Sequence, residues 1–141
     1  KQSDRIGPNK TLNDLDRLNL APVLFQEYIK PKLEIRVTVI GNSVFAASID
    51  SYSHIQEPDW RRISPDQQDW RPYTLPQAVG DLCIKIVKNY NLYFGAIDLL
   101  LAPNGEYYFL ELNANGQWVW IEMITGMPMS EAMIALLTGL Q

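Results

Sequence analysis

Apolar residues recur along this chain with two different periods, and each change of period marks an element. Residues 33–40 are rich in β-branched side chains and predict a strand. Gly41-Asn42 then makes a two-residue turn and residues 43–50 return as the next strand, which sets Arg36 opposite Ala47 and Glu34 opposite Ile49. An earlier strand is expected over 23–29, broken by Lys30-Pro31-Lys32, because proline cannot donate to a sheet ladder. The period lengthens over 76–91. There Val79, Leu82, Cys83, Ile86, Val87 and Tyr90 share one helical face, and Pro76 suits a first turn. Residues 94–102 and 106–113 form a hairpin around Asn104-Gly105. A closing helix is expected over 128–140, with Ala132, Met133, Leu136, Leu137 and Leu140 on one side.

Strands, a long connection, a helix, a hairpin and a last helix, in that order, predict an α+β fold with a mainly antiparallel sheet flanked by helices. The connection, residues 51–75, carries Pro58, Pro65 and Pro72, and connections of that length are usually functional or mobile. Asp59-Trp60-Arg61 recurs within it as Asp69-Trp70-Arg71, too little for a repeat architecture. Residues 1–20 are polar, with Leu12, Leu15, Leu18 and Leu20 as apolar anchors, and predict a loop and a short helix over 13–18.

Composition narrows the class. A chain of 141 residues suits one domain, and 47% apolar with 20% charged residues is a globular balance. Twelve Lys and Arg against 16 Asp and Glu leave a net charge of −4, which argues against non-specific nucleic-acid binding. The single cysteine forms no internal disulfide, no apolar run reaches the roughly 18 residues of a membrane span, and residues 1–10 hold no signal core. A soluble cytoplasmic domain is expected, with neither nucleic acid nor membrane as partner and its oligomeric state open.

The chemistry concentrates in the hairpin. With Asn104-Gly105 as a two-residue loop, Asp98 falls opposite Glu111 and Asn113 opposite Ala96, all on one face with Phe94, Leu100 and Phe109. Like charges directly opposite each other destabilise a strand pair unless a cation compensates them. Their oxygen donors, without sulfur or imidazole, favour Mg²⁺. The alternative is a pair of solvated carboxylates on an open sheet face. Glu34 and Arg36 also share a face, and in isolation such a pair is most often a surface ion pair of little energetic value. His54 lacks metal-ligand neighbours, Cys83 belongs to the core face of its helix, and the four methionines fit core filling. Trp60 and Trp70, each beside an arginine, are either a binding surface or a cover over the sheet.

Four segments resemble the C-terminal half of an ATP-grasp ligase: Phe25-Gln26-Glu27-Tyr28-Ile29, Glu34-Ile35-Arg36, Phe94-Gly95-Ala96-Ile97-Asp98 and Phe109-Leu110-Glu111-Leu112-Asn113. Their order is similar to the branch holding ribosomal-protein glutamate ligases and glutathione synthetases. Ile49-Asp50-Ser51, Asp59-Trp60-Arg61 and Asn115-Gly116-Gln117-Trp118 look like the microviridin-type (graspetide) peptide maturases. The resemblance implies ATP and Mg²⁺. Glu27 and Tyr28 would form the hinge that reads adenine, and Glu34 would accept from the ribose. Arg36 would face the phosphates or the acyl phosphate, and Asp98, Glu111 and Asn113 would hold Mg²⁺. Arg61 would meet an acidic precursor peptide or other carboxylate substrate, with the loop over 51–72 on the acceptor side of the site. It implies a ligase that activates a carboxylate and crosslinks a ribosomally made peptide. Two alternatives are a ligase adding an amino acid to a peptide or protein, and a non-catalytic nucleotide- or peptide-binding remnant. Residues 1–141 would then be a partial ATP-grasp domain, without the N-terminal domain and the glycine-rich lid with its lysine, and the isolated chain is expected to be inactive.

Overall fold

A computed structural model describes residues 26–50 and 68–139. Within them lies one five-stranded sheet made of β1 (Leu33–Ile40), β2 (Ser43–Ile49), β3 (Arg71–Pro72), β4 (Phe94–Leu101) and β5 (Tyr107–Asn113). Every pairing is antiparallel and the spatial order is β3-β2-β1-β4-β5. Three helices accompany it: α1 (Gln77–Asn89), α2 (Val119–Thr125) and α3 (Met129–Thr138). The expected α+β class and antiparallel sheet are both present. No described helix is long and apolar enough to cross a membrane.

β1 and β2 pair in the register read from the sequence, Arg36 with Ala47 and Glu34 with Ile49, around a turn where Gly41 has φ 60°. β1 is the centre of the sheet because its other edge pairs with β4, and Arg36 lies directly opposite Asp98. The strand expected over 23–29 is not seen in its described part. Residues 26–29 are irregular and Gln26, Glu27 and Tyr28 are exposed, so no alternating buried face holds them in a sheet. The chain joins the sheet only where the Lys32 amide donates to the Leu101 carbonyl at 2.7 Å.

Alternation divides the side chains of β1 and β4 between two faces. Ile35, Val37, Val39, Ile97, Leu99 and Leu101 point to one, where α1 covers them with Cys83 and Val87. Val37, Val39 and Ile97 are fully buried, each contributing roughly 1.5–3 kcal/mol relative to exposure. The apolar stripe of α1 is wider than the strip the sheet covers, so Leu82 and Tyr90, expected on the buried face, are 57% and 70% exposed. The opposite face is apolar only in part. There Ile40, Ala47 and Ile49 pack with Trp70, and with Ile121 and Met129 from α2 and α3.

Two departures from the expected pattern concern the end of the chain. The Ala102 amide donates to the Glu106 carbonyl at 2.9 Å, so the β4–β5 loop holds three residues, Pro103-Asn104-Gly105, rather than two. Proline pre-sets φ for the start of such a loop, and Gly105, at φ 87°, takes the left-handed position that closes it. The second departure is α2, not expected from the sequence, which ends at Gly126 in the left-handed conformation. Gly126 followed by Pro128 is the helix-stop signal that marks it. In α3, Ala132, Met133 and Leu136 pack on the core as expected, while Leu137 is 78% exposed and Leu140 lies outside the described residues.

Candidate functional site

The three-residue loop shifts the β4–β5 register by one, so Leu100 lies opposite Tyr108 and Leu99 opposite Phe109. A β-bulge between Leu99 and Asp98 then restores the register, and Asp98 lies opposite Glu111 and Ala96 opposite Asn113. Two one-residue offsets cancel, so the expected acidic pair survives a wrongly expected turn. Phe109 does not join that face; Tyr108 takes its place beside Leu100.

Across the sheet this builds three rows on the face opposite α1. The middle row is Ala47, Arg36, Asp98 and Glu111; the flanking rows are Phe45, Thr38, Ala96 and Asn113, and Ile49, Glu34, Leu100 and Tyr108. The Arg36 Nη1 donates to Asp98 Oδ1 at 2.6 Å, and each residue is only 8% exposed. Arg36 is therefore a buried partner of Asp98 across the strands, not a surface residue. Taking both charges out of water is costly, and their mutual attraction plus the hydrogen bond must offset it. Among the described residues, the buried Arg36 Nε and Thr38 Oγ1 have no hydrogen-bond partner. Glu111 and Asn113 are exposed, so the row runs from buried to open at the β5 edge. The Asn113 Oδ1 accepts from the Asn115 amide at 2.9 Å, which fixes the turn after β5.

The exposed segment with Glu27 and Tyr28 leads to Lys32 at the Leu101 end of β4, beside the row holding Glu34, Leu100 and Tyr108. The Tyr108 phenol is raised first by its hydrogen bond to Glu106, 2.6 Å away, and in small part by the charge of Glu27. Glu27, Glu34, Arg36, Asp98, Glu111 and Asn113 thus belong to one side of the molecule. Arg61, Trp60 and His54 lie outside the described residues.

Among the described residues no three His, Cys, Asp or Glu side chains come together as a metal-ligating group. Two carboxylates and an amide oxygen are instead a partial set of hard donors. That fits Mg²⁺, which binds one or two carboxylates and completes its shell with waters and phosphate oxygens.

Elsewhere the chemistry is quieter. Trp70 is 4% exposed and meets Trp120 edge-on, ring centres 5.4 Å apart, so of the two readings of the loop tryptophans it is a cover over the sheet. Arg71 is exposed and ion-paired with Asp69, which raises its pKa. Burial pushes the Cys83 thiol up to about 11, as suits an inert core cysteine. Met129 is buried, and Met127 and Met133 pack beside it, but Met123 is 81% exposed and fills no core. Two clefts, of about 430 Å³ beside Val44, Tyr73 and Asp81 and about 390 Å³ beside Lys88, Tyr93 and Leu136, hold none of the row residues. Gly116 is buried against Ala96 and Arg36; the sequence marks it only as part of Asn115-Gly116-Gln117-Trp118, because nothing local shows what folds onto it.

A family model described as a RimK-like ATP-grasp domain matches residues 8–137. Among solved structures, a RiPP-associated ATP-grasp ligase of Chryseobacterium gregarium, in complex with ADP and a leader and core peptide, is 34% identical with a TM-score of 0.88, over 96% of this chain and 41% of that one. The macrocyclase MdnC of Microcystis aeruginosa MRC, bound with precursor peptide MdnA, is 34% identical with a TM-score of 0.75, over 92% and 40%. The ATP-grasp ligase PsnB, complexed with minimal precursor, Mg and ADP, is 28% identical with a TM-score of 0.66, over 86% and 38%. This chain spans about two fifths of the length of those three structures. No curated protein matches it.

Proposed function

Since this chain belongs to the RimK-like ATP-grasp family, we propose that it supplies the metal and nucleotide side of an ATP-dependent ligase that modifies a ribosomally made peptide. The row Arg36–Asp98–Glu111, with Asn113 in the next row, is the observation that carries this reading. It collects two carboxylates and an amide oxygen at the open β5 edge of the sheet face, hard donors of the kind Mg²⁺ takes together with phosphate oxygens. Relatives whose structures contain ADP, Mg or a precursor peptide support the same assignment.

In this reading Asp98, Glu111 and Asn113 hold Mg²⁺. When bound, the ion neutralises charge on the phosphate oxygens during transfer. Glu27 and Tyr28 present backbone groups to the adenine edge, and Glu34 accepts from the ribose hydroxyls one row away. A substrate carboxylate oxygen attacks the γ-phosphorus, the bond to the bridging oxygen breaks, and ADP leaves. The acyl phosphate is then attacked by an amine or hydroxyl of the peptide, which loses a proton as inorganic phosphate departs. Arg36 neutralises Asp98 and lies on the phosphate side of the row. Arg61 meets an acidic peptide, since a guanidinium pairs with carboxylates in two-point fashion.

Glu111→Gln is the decisive test, because Glu111 is exposed and its loss leaves the core untouched. Calorimetry should show ADP binding that strengthens with Mg²⁺ in the parent, and roughly 100-fold weaker metal-dependent binding in the variant. Unchanged Mg²⁺ dependence would remove Glu111 from the metal set. In the full-length enzyme, Arg61→Ala should raise the KM for the peptide and leave nucleotide affinity near the parent value; a loss of nucleotide binding instead would move Arg61 to the phosphate site.

A further inference from the structure

Gly116 is buried, yet its φ is not in the left-handed region, so no backbone conformation demands a glycine there. Space does. A Cβ at Gly116 would overlap the Ala96 methyl, lie 3.1 Å from Arg36 Nη2 and 3.4 Å from the Asn113 carbonyl oxygen. The turn after β5, fixed by the Asn113–Asn115 hydrogen bond, therefore lies directly on the guanidinium that pairs with Asp98. Among the described residues its Nε has no partner, and Nη1 donates to Asp98.

We infer that Gly116 is a positioning residue. Its bare Cα seats the turn after β5 on Arg36 and holds the guanidinium against Asp98, so the carboxylate keeps one orientation at the metal site. The small side chain of Ala96, in the row beside Arg36 and Asp98, completes the seat. A metal-ligating carboxylate is oriented by the groups that hydrogen-bond to it, and losing such a partner typically costs about 10–100-fold in metal affinity. Gly116 acts one step further out, through Arg36. The inference rests on the proposed metal role of Asp98, but its geometric half, that Gly116 fixes the Arg36 guanidinium, does not.

The test compares Gly116→Ala, the size exchange Ala96→Gly with Gly116→Ala, and Gly116→Ala in an Arg36→Met background. Three quantities are read: Tm, the Mg²⁺ concentration that half-saturates the enhancement of ADP binding, and the guanidinium ¹⁵N–¹H signals of Arg36. In Gly116→Ala, Tm should fall, the Mg²⁺ midpoint should rise roughly 10-fold, and the restricted Nη signals of Arg36 should be lost. The size exchange removes the methyl overlap but keeps the new Cβ against Nη2. It should recover most of the Tm while the Mg²⁺ midpoint and the Arg36 signals stay perturbed. In the Arg36→Met background, Gly116→Ala should leave the Mg²⁺ midpoint unmoved. Full recovery of midpoint and signals in the size exchange would reduce Gly116 to a space filler and overturn the inference. An undiminished shift in the Arg36→Met background would overturn it as well. If the parent binds ADP without any Mg²⁺ effect, the metal reading of Asp98 fails; the Arg36 signals still decide whether Gly116 holds the guanidinium.

Discussion

The two faces of the sheet are made by alternate residues of the same strands, so they share a backbone and a hydrogen-bond ladder. On one, Ile35, Val37, Val39, Ile97 and Leu99 close a dry contact with α1. On the other, Arg36 and Asp98 sit one residue away from those side chains and are also buried, but as an ion pair whose Nε has no partner among the described residues. The first face is what hydrophobic burial alone would build. The second carries charge that burial penalises, held beside an apolar half formed by Trp70, Ile121 and Met129. The difference teaches that the α1 face supplies the stability that lets the other face keep an uncomfortable charge arrangement for use.

Arg36→Met gives the largest expected loss, about 3–5 kcal/mol, because it removes the guanidinium that pairs with the buried Asp98 carboxylate. Urea denaturation measures it. A loss below about 1 kcal/mol would mean water reaches Asp98 and the two faces differ less than their burial suggests.

Ile97→Ala should cost about 2–5 kcal/mol by the same measurement, since it opens a cavity under a fully buried side chain. Mg²⁺-dependent ADP binding at a temperature where the variant is folded should match the parent. A changed metal midpoint would break the separation between the faces.

Tyr107 tests the α1 side by pH. Its phenol is pushed up to about 12, by burial first and then by the hydrogen bond with Tyr73, 2.6 Å between the oxygens. The folded state therefore prefers the protonated form. The contribution is full below the unfolded value near 10 and is lost as pH rises toward 12. Tyr107→Phe should flatten that part of the alkaline fall in stability and cost about 1 kcal/mol at neutral pH from the lost hydrogen bond. An unaltered alkaline slope would place the titration elsewhere.

The smallest effect belongs to Thr38, buried on the charged face with an unpaired Oγ1. Thr38→Val replaces that hydroxyl with a methyl of similar size and should stabilise by roughly 0.5–1 kcal/mol. A loss of stability in Tm measurements would reveal a partner for the hydroxyl and show that the charged face is better satisfied than it looks.

How far the sequence reaches differs between these features. Strand β1, its turn and the β2 register were legible because alternation and Gly41-Asn42 are local signals. The acidic pair was legible too, although the loop beside it was expected one residue too short and a bulge restored the count. Tyr108 in place of Phe109 was not, because a bulge depends on how the whole strand twists against its neighbour. Helix α1 was visible as a period of 3.6, but which part of its stripe meets the sheet was decided by the sheet's width.

By itself, then, the sequence determined the α+β class, the hairpin carrying Asp98, Glu111 and Asn113, and the family, since these depend on short local patterns and their order along the chain. The tertiary structure decided the rest. The β1–β4 pairing set Arg36 against Asp98 across 62 positions of chain, and the fold of the turn after β5 laid Gly116 on the guanidinium. Both are contacts between segments whose local patterns say nothing of each other. They exist because closing the sheet buries the α1 face, and that burial fixes which charged side chains must share the face left over.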